Sequence, residues 1–404
     1  MPSSSTGSTA SITFNERKAV ERVIDMIAIA GKSCQEKAIA GYIEQKLVEA
    51  GIPASAISYD RAHKLSTYGG EVGNLIVKLP GTKSGPRRML MGHIDTVPLC
   101  VGAQPVLRGN KIVSKSPLTA LGGDNRAGAA IVLTAILEIL KQNLPYPPLT
   151  LFWPVQEEIG LLGARHVSIN KLGKPKLCFN WDGGDAQITC IGATGGYELF
   201  IEIDGIASHA GGHPEDGVNA IAVASIAIAD LVKNGWHGLV LKNGLRGTSN
   251  IGVIQGGDAT NVVTSKVILR GEARSHDRKF RSRIVKEIEQ AFQRAVRQLK
   301  NAAGKTGKLT FGADLKYDSF QLSTDEPCVQ SAITAVKKCG LGPELRVSNG
   351  GLDANWTSAL GLPTVTLGAG QHDIHTTSEW LDVASYLKGC QIGLMLATGG
   401  ELDE

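Results

Sequence analysis

The chain has 404 residues, 42% hydrophobic and 20% charged, with a formal net charge of +4. This describes a soluble globular protein long enough for two domains, with a core that needs no staples. So weak a charge, locally basic only at Arg87-Arg88 and over 278–283, argues against nucleic-acid binding, and no run is apolar for long enough to span a bilayer.

Residues 1–9 are rich in Ser and Thr, lack the basic and apolar regions of a signal peptide, and read as a disordered tail. Helical spacing follows over 16–51 in two stretches separated by Gly31-Lys32-Ser33. The second stretch places Ala38, Ile39, Tyr42, Ile43, Leu47 and Val48 on one face and ends at Gly51. Strands are predicted over 74–79 and 88–92. Asp124-Asn125 reads as the start of a helix over 127–140, apolar nearly all round and hence buried. Strands over 149–155, irregular after Pro154, and 177–181 complete an alternation of strand and helix that predicts an α/β sheet covered on both faces.

From about 197 the pattern changes. Strands over 197–203, around 249–254, over 262–273 and 309–317 alternate with helices over 218–232 and 278–299. This β-α-β-β-α-β order predicts a separate small domain with helices on one face of an antiparallel sheet. The α/β pattern then resumes with a helix over 326–338, a strand over 363–367 and a last helix from 383, so the small domain is inserted into the large one. The seven cysteines are scattered without a C-x-x-C pair, which fits reduced thiols and a cytoplasmic address.

The candidate chemistry lies at strand ends, where open α/β sheets bind ligands. In Met91-Gly92-His93-Ile94-Asp95-Thr96-Val97-Pro98 the histidine and aspartate are two apart, so an extended chain turns them to the same side. Asp95 can then accept the second ring N–H of His93 and fix its tautomer, as a metal-ligand histidine requires; alone, His93 reads as a satisfied core residue rather than a ligand, and the acidic groups downstream turn that reading toward a ligand. Asp124, in Gly122-Gly123-Asp124-Asn125, is either a helix cap or a carboxylate that bridges two cations. Glu157-Glu158 is either an exposed loop pair or a buried pair, one binding metal and the other taking a proton from water. Asp182 is either a turn residue before Gly183-Gly184 or a further ligand. His375 follows a late strand, with His372 as a rival. Two histidines and these carboxylates could hold two divalent cations. Ligands of N and O without thiolate suit zinc, with cobalt or manganese as alternatives, and such a pair activates water for amide hydrolysis.

With these residues the chain resembles the di-zinc exopeptidase superfamily of peptidase T, aminoacylase and the glutamate carboxypeptidases, and most of all its peptidase T-like branch. The resemblance covers about 16–389. It rests on H-x-D-x-V-P at His93 to Pro98, G-x-D-x-x-A-G at Gly122 to Gly128, Glu157-Glu158, Asp182, and H-x-x-x-E at His375 to Glu379. It implies Glu157 as general base and Glu158 as ligand, with His375 in preference to His372. It also implies one cation on His93, Asp124 and Asp182, another on Asp124, Glu158 and His375, and a cis peptide after Asp124.

In the insertion, Ser208-His209-Ala210-Gly211 resembles the family string whose histidine, often from a partner subunit, supports the oxyanion. The stretch Asn261 to Arg274 resembles the strand whose arginine binds the substrate carboxylate, against a plain sheet-surface role for Arg274. Gly350-Gly351-Leu352-Asp353-Ala354-Asn355 resembles a loop lining the site, although Leu352 stands where relatives often have a small polar residue.

The expected architecture is a three-layer α/β catalytic domain with a mixed, mostly parallel sheet over 1–192 and 319–404. An α+β lid and dimerisation domain over 193–318 would hold a four-stranded antiparallel sheet with two helices. The expected activity is hydrolysis of short peptides, as an aminopeptidase or tripeptidase. An N-acyl-amino-acid amidohydrolase or dipeptidase would use the same centre, and a homodimer through the lid is implied. A silent binding protein on this fold should have lost a ligand or the base, and none is missing.

Overall fold

The computed structural model describes residues 14–400; the expected tail over 1–9 lies outside them. The chain divides into two compact units, one of 1–192, 321–347 and 352–404, the other of 193–320 and 348–351. Against the sequence reading the boundary moves from 318 to 320, and 348–351 changes sides. The reason is local: within the second unit Thr194 N donates to Ser348 O at 3.0 Å, and His276 Nε2 lies 3.3 Å from Asn349 Oδ1.

The first unit holds a nine-stranded mixed sheet. Its first seven strands run in the order Ile57–Tyr59, Leu75–Leu79, Leu149–Trp153, Arg88–Met91, Leu177–Trp181, Thr364–Leu367, Ile188–Ala193. The four strands from Leu149–Trp153 to Thr364–Leu367 are mutually parallel, and their outer neighbours are antiparallel. Both faces are covered. Leu90, Leu151 and Phe179 pack into one cluster with the helices Glu16–Ala28, Gly123–Gln142 and Val383–Thr398. Met89, Met91, Phe152 and Cys178 pack on the other face with Val167, Leu172 and Leu362. The period-2 alternation thus buries Leu90 on one face and Met89 and Met91 on the other, so residues 89–91 read as a continuous apolar run. Each such burial contributes roughly 1.5–3 kcal/mol relative to exposure. A separate four-stranded sheet joins Gln371–His372, Trp380–Asp382, Lys111–Ser114 and Pro105–Arg108.

Strand end and helix start approach closely at Gly92 and Gly128. A Cβ at Gly92 would fall 2.9 Å from the Gly128 carbonyl carbon, and one at Gly128 would fall 2.3 Å from the Trp181 carbonyl oxygen. Only glycine permits that approach, and it brings the first turn of Gly123–Gln142 against the ends of two strands.

In the second unit the sheet runs Gly238–Lys242, Leu245–Gly256, Lys266–Ser275, Gly195–Asp204, Lys308–Tyr317, all antiparallel. Leu199, Ile201 and Ile203 alternate inward against helices Ala220–Lys233 and Arg278–Gln298. The long helix buries Phe280, Ile284, Ile288, Ala291 and Ala295 along one stripe. Four long strands match the expected sheet. A short fifth, Gly238–Lys242, is added by a hairpin at Asn243 (φ 52°) and Gly244 (φ 75°), the geometry of a type I′ turn. The strand expected to begin at 262 begins at Lys266, because residues 263–265 pair elsewhere: Val263 N donates to Ser208 O at 2.9 Å and Gly205 N to Ser265 O at 2.7 Å.

Candidate metal centre

His93 follows the buried strand Arg88–Met91 and is itself buried. Its Nδ1 lies 3.3 Å from Asp95 Oδ1 and 3.2 Å from the Asp95 carbonyl oxygen, so Nε2 faces away from Asp95. Asp95 is fully buried and is held in turn by the Ser33 hydroxyl, which donates to Oδ2 at 2.6 Å.

Asp124 does not cap its helix. Three main-chain groups there, Leu121 N, Gly122 N and Asp124 N, donate to the buried carboxylate of Glu379 at 2.8–2.9 Å. Gly122 has φ 83°, and the Asp124–Asn125 peptide is cis. Asn125 secures the turn: its Nδ2 donates to Trp181 O at 2.7 Å, and its Oδ1 accepts from Gly128 N at 2.9 Å and Gln371 Nε2 at 2.7 Å. With the capping supplied by Glu379, the Asp124 carboxylate is left for other work. Its Oδ1 is buried, accepts no hydrogen bond, and lies 3.4 Å from His93 Nε2. Its Oδ2 lies 3.1 Å from His375 Nε2.

Glu157 and Glu158 leave the strand Leu149–Trp153 and address different imidazoles. Glu157 Oε2 is 3.9 Å from His93 Nε2; Glu158 Oε2 is 3.0 Å from His375 Nε2. Asp182, just beyond Leu177–Trp181, places Oδ2 3.9 Å from His93 Nε2. All four carboxylates are at most 10% exposed. The rival His372 is directed elsewhere. It stacks on Trp380 at 4.2 Å, with Nε2 3.1 Å from Asp185.

Crowding shifts every group. Burial pushes the carboxyls of Glu157 and Asp182 well above the usual range, and neighbouring carboxylates add to it. Burial likewise raises Glu158 to about 7. Asp124 goes the other way: burial would raise it, but the facing imidazoles of His375 and His93 hold it below the usual range. In return the carboxylates of Asp124 and then Glu158 raise His375 to about 10. Burial would lower His93, yet Glu157, Asp124 and Asp95 together hold it well above its ordinary value.

Atoms about 2.0–2.1 Å from a tetrahedral cation stand roughly 3.3 Å from one another. The separations from His93 and His375 to Asp124, 3.4 and 3.1 Å, are of that size. Among the described residues, His93–Asp124–Glu158 and His93–Glu157–Asp182 each bring ligand atoms within 4.8 Å of one another. Buried carboxylates packed this closely repel unless protons or cations stand between them. The donor set therefore fits divalent cations.

The sequence reading did not single out two members of this cluster. Asp353 is buried and both its carboxylate oxygens accept no hydrogen bond; burial raises it to about 7. Gln371 donates from Nε2 to Gly123 O at 3.1 Å as well as to Asn125, and its Oε1 accepts from Gly183 N at 2.8 Å. Its only signal was its place four residues before His375.

The remaining candidates lie in the second unit. His209 is exposed, and its Nδ1 accepts from Gly211 N and Gly212 N at 3.2 and 2.9 Å. Asn261 O accepts from Ala210 N at 2.9 Å, which joins the two stretches singled out there. Arg274 donates to both carboxylate oxygens of Glu272, at 3.0 and 2.7 Å. Gly351 packs where a Cβ would fall 2.5 Å from the Tyr317 ring.

A family model described as Peptidase family M20/M25/M40 matches residues 89–398. Peptidase T of Shigella boydii is 23% identical over 377 residues, 81% of this chain and 85% of that protein. Among solved structures, a tripeptidase from Staphylococcus aureus is similar with a TM-score of 0.84 and 28% identity, over 95% of this chain and 98% of that one. An aminopeptidase PepT from Bacillus cereus gives 0.79 and 29% over the same shares.

Proposed function

Because the chain belongs to peptidase family M20/M25/M40, we propose that it is a two-metal aminopeptidase of short peptides, tripeptides foremost. The observation that carries this reading is the buried Asp124 carboxylate with one oxygen turned to each imidazole. The similarities to a tripeptidase and an aminopeptidase support that substrate class.

On this reading His93, Asp124 and Asp182 hold one cation and Asp124, Glu158 and His375 the other, with zinc as the native metal. When bound, such cations act as Lewis acids and bring the pKa of water down to about 7. The protein's own part is positional. Asp95 fixes His93; Glu379 frees Asp124; Glu157 takes a proton from water at a carboxylate oxygen and returns it to the leaving amine. His209 supporting the oxyanion, Arg274 binding the peptide carboxylate, and Asn261 and Gly351 lining the substrate belong to the same proposal.

We also assign a homodimer through the second unit and a cytoplasmic address. The first is supported by Val253 and Ile254, exposed on a stretch of Leu245–Gly256 that extends past its pairing with Gly238–Lys242. The second is supported by seven scattered cysteines without a C-x-x-C pair.

A panel of tripeptides, dipeptides and acetyl amino acids tests the substrate class: tripeptides with a free amino terminus should be turned over fastest. Preference for acetyl amino acids would replace the peptidase reading with an amidohydrolase one.

Metal binding should release protons. Without cations both imidazoles hold protons at neutral pH, His375 up to about 10, whereas a ligating nitrogen must be free of its proton. Affinity should therefore climb as pH rises from about 6 toward 10 and fall on acidification. Zinc titrations in two buffers of different ionisation enthalpy should differ in apparent heat; identical heats would contradict the protonated state of the imidazoles.

A further inference from the structure

Glu36 precedes the helix Lys37–Glu49, yet its side chain does not cap it. The residue is fully buried. Its Oε1 accepts from Cys34 N at 2.8 Å and, from far along the chain, from Gln156 N at 3.2 Å. The next two amides go to Asp95: Glu157 N donates to Oδ1 at 3.0 Å and Glu158 N to Oδ2 at 3.2 Å. Three successive N–H groups thus converge on two buried carboxylates, a main-chain nest of the kind that binds anions.

The nest needs an unusual backbone. Gln156 has φ 57°, a conformation a residue with a Cβ seldom adopts. It is held there from both sides, because Val155 N donates to Asn74 Oδ1 at 3.1 Å. Such a conformation persists where surrounding contacts over-determine it. Its effect is to turn the chain out of the strand so that consecutive side chains reach different imidazoles, Glu157 toward His93 and Glu158 toward His375. Asp95 has a second task on His93. Among the described residues Glu36 faces no imidazole: its Oε1 serves the Cys34 and Gln156 amides, and its Oε2 is buried without a hydrogen bond.

We propose that Glu36 is a positioning residue of the hydrolytic centre, holding the 156–158 main chain through the Gln156 amide in the bend that aims Glu157 and Glu158. The inference rests on the reading above only in giving those two residues the roles of base and ligand.

Two conservative variants test it. Glu36→Asp keeps a buried carboxyl but withdraws the oxygen from Gln156 N by one methylene; Glu36→Gln keeps the reach and an acceptor. The aspartate variant should bind cobalt(II) about 10–100-fold more weakly, as loss of an outer partner typically does. Its kcat on a tripeptide should fall by a similar factor, with KM within about threefold of native. The glutamine variant should stay within about threefold on all counts. A native-like aspartate variant, or a glutamine variant as impaired as the aspartate one, overturns the proposal. So does a fall in melting temperature with cobalt affinity, kcat and KM unchanged, since that marks a structural role alone. In the native chain the Gln156 amide should exchange with solvent far more slowly than exposed loop amides, and fast exchange there also overturns it. Cobalt affinity and amide exchange need no substrate. A native protein inert toward every peptide would therefore sink the functional reading and leave this one standing.

Discussion

Glu157→Gln is expected to bind the same complement of zinc as the native chain while tripeptide turnover falls by on the order of 10²–10⁴-fold, the range associated with removing a positioned acid–base group. The glutamine is nearly isosteric, and its main-chain N–H keeps its bond to Asp95 Oδ1, so the bend over 156–158 is retained. Only the capacity to accept a proton is lost. Glu157 suits that task because it is nearly buried and its Oε2 stands 3.9 Å from His93 Nε2. Burial also keeps its proton affinity well above that of an ordinary glutamate. Elemental analysis alongside initial rates decides the matter. Near-native turnover would remove Glu157 from the chemistry, and loss of zinc would make it a ligand.

Asp124→Ala should be the more damaging change. Each of its oxygens faces a different imidazole, so one substitution takes a ligand from both cations. Zinc content should fall below the full complement, and turnover should drop by more than the 10–100-fold typical of outer-sphere lesions. The fold should survive, because the turn around residues 121–124 is held by Glu379 and Asn125 rather than by the Asp124 side chain. Circular dichroism separates the two outcomes. A folded variant that retains two zinc ions per chain would rule out a bridging role.

These residues differ in how legible they are before the chain folds. His93 and Asp95 were legible because they sit two apart on an extended chain, and period-2 geometry fixes their relation without any tertiary information. Asp124 was ambiguous from local sequence, since a carboxylate ahead of an apolar helix is equally a cap. What resolved it is Glu379, whose hydrogen bonds span more than 250 residues. Glu36 left no trace for the same reason: the amide it serves is 120 residues away, and no periodicity encodes that pairing. Asp353 looked like one polar residue in a glycine-rich loop. In the second unit, the missed strand Gly238–Lys242 was announced by Asn243-Gly244, a two-residue hairpin signal between apolar stretches. The α/β alternation was easier to read because both faces of the sheet are buried, which leaves whole strands apolar.

The loop that bears His375 also bears Gln371 and Glu379. One short stretch therefore delivers an imidazole to Asp124, ties Asn125, and gathers the amides of residues 121–124. That stretch leaves the ribosome more than 250 residues after the turn it completes. Until it emerges, the Asp124 turn lacks its carboxylate clasp and its second imidazole together, so a nascent polypeptide carries no assembled hydrolytic centre before residue 379 has been made.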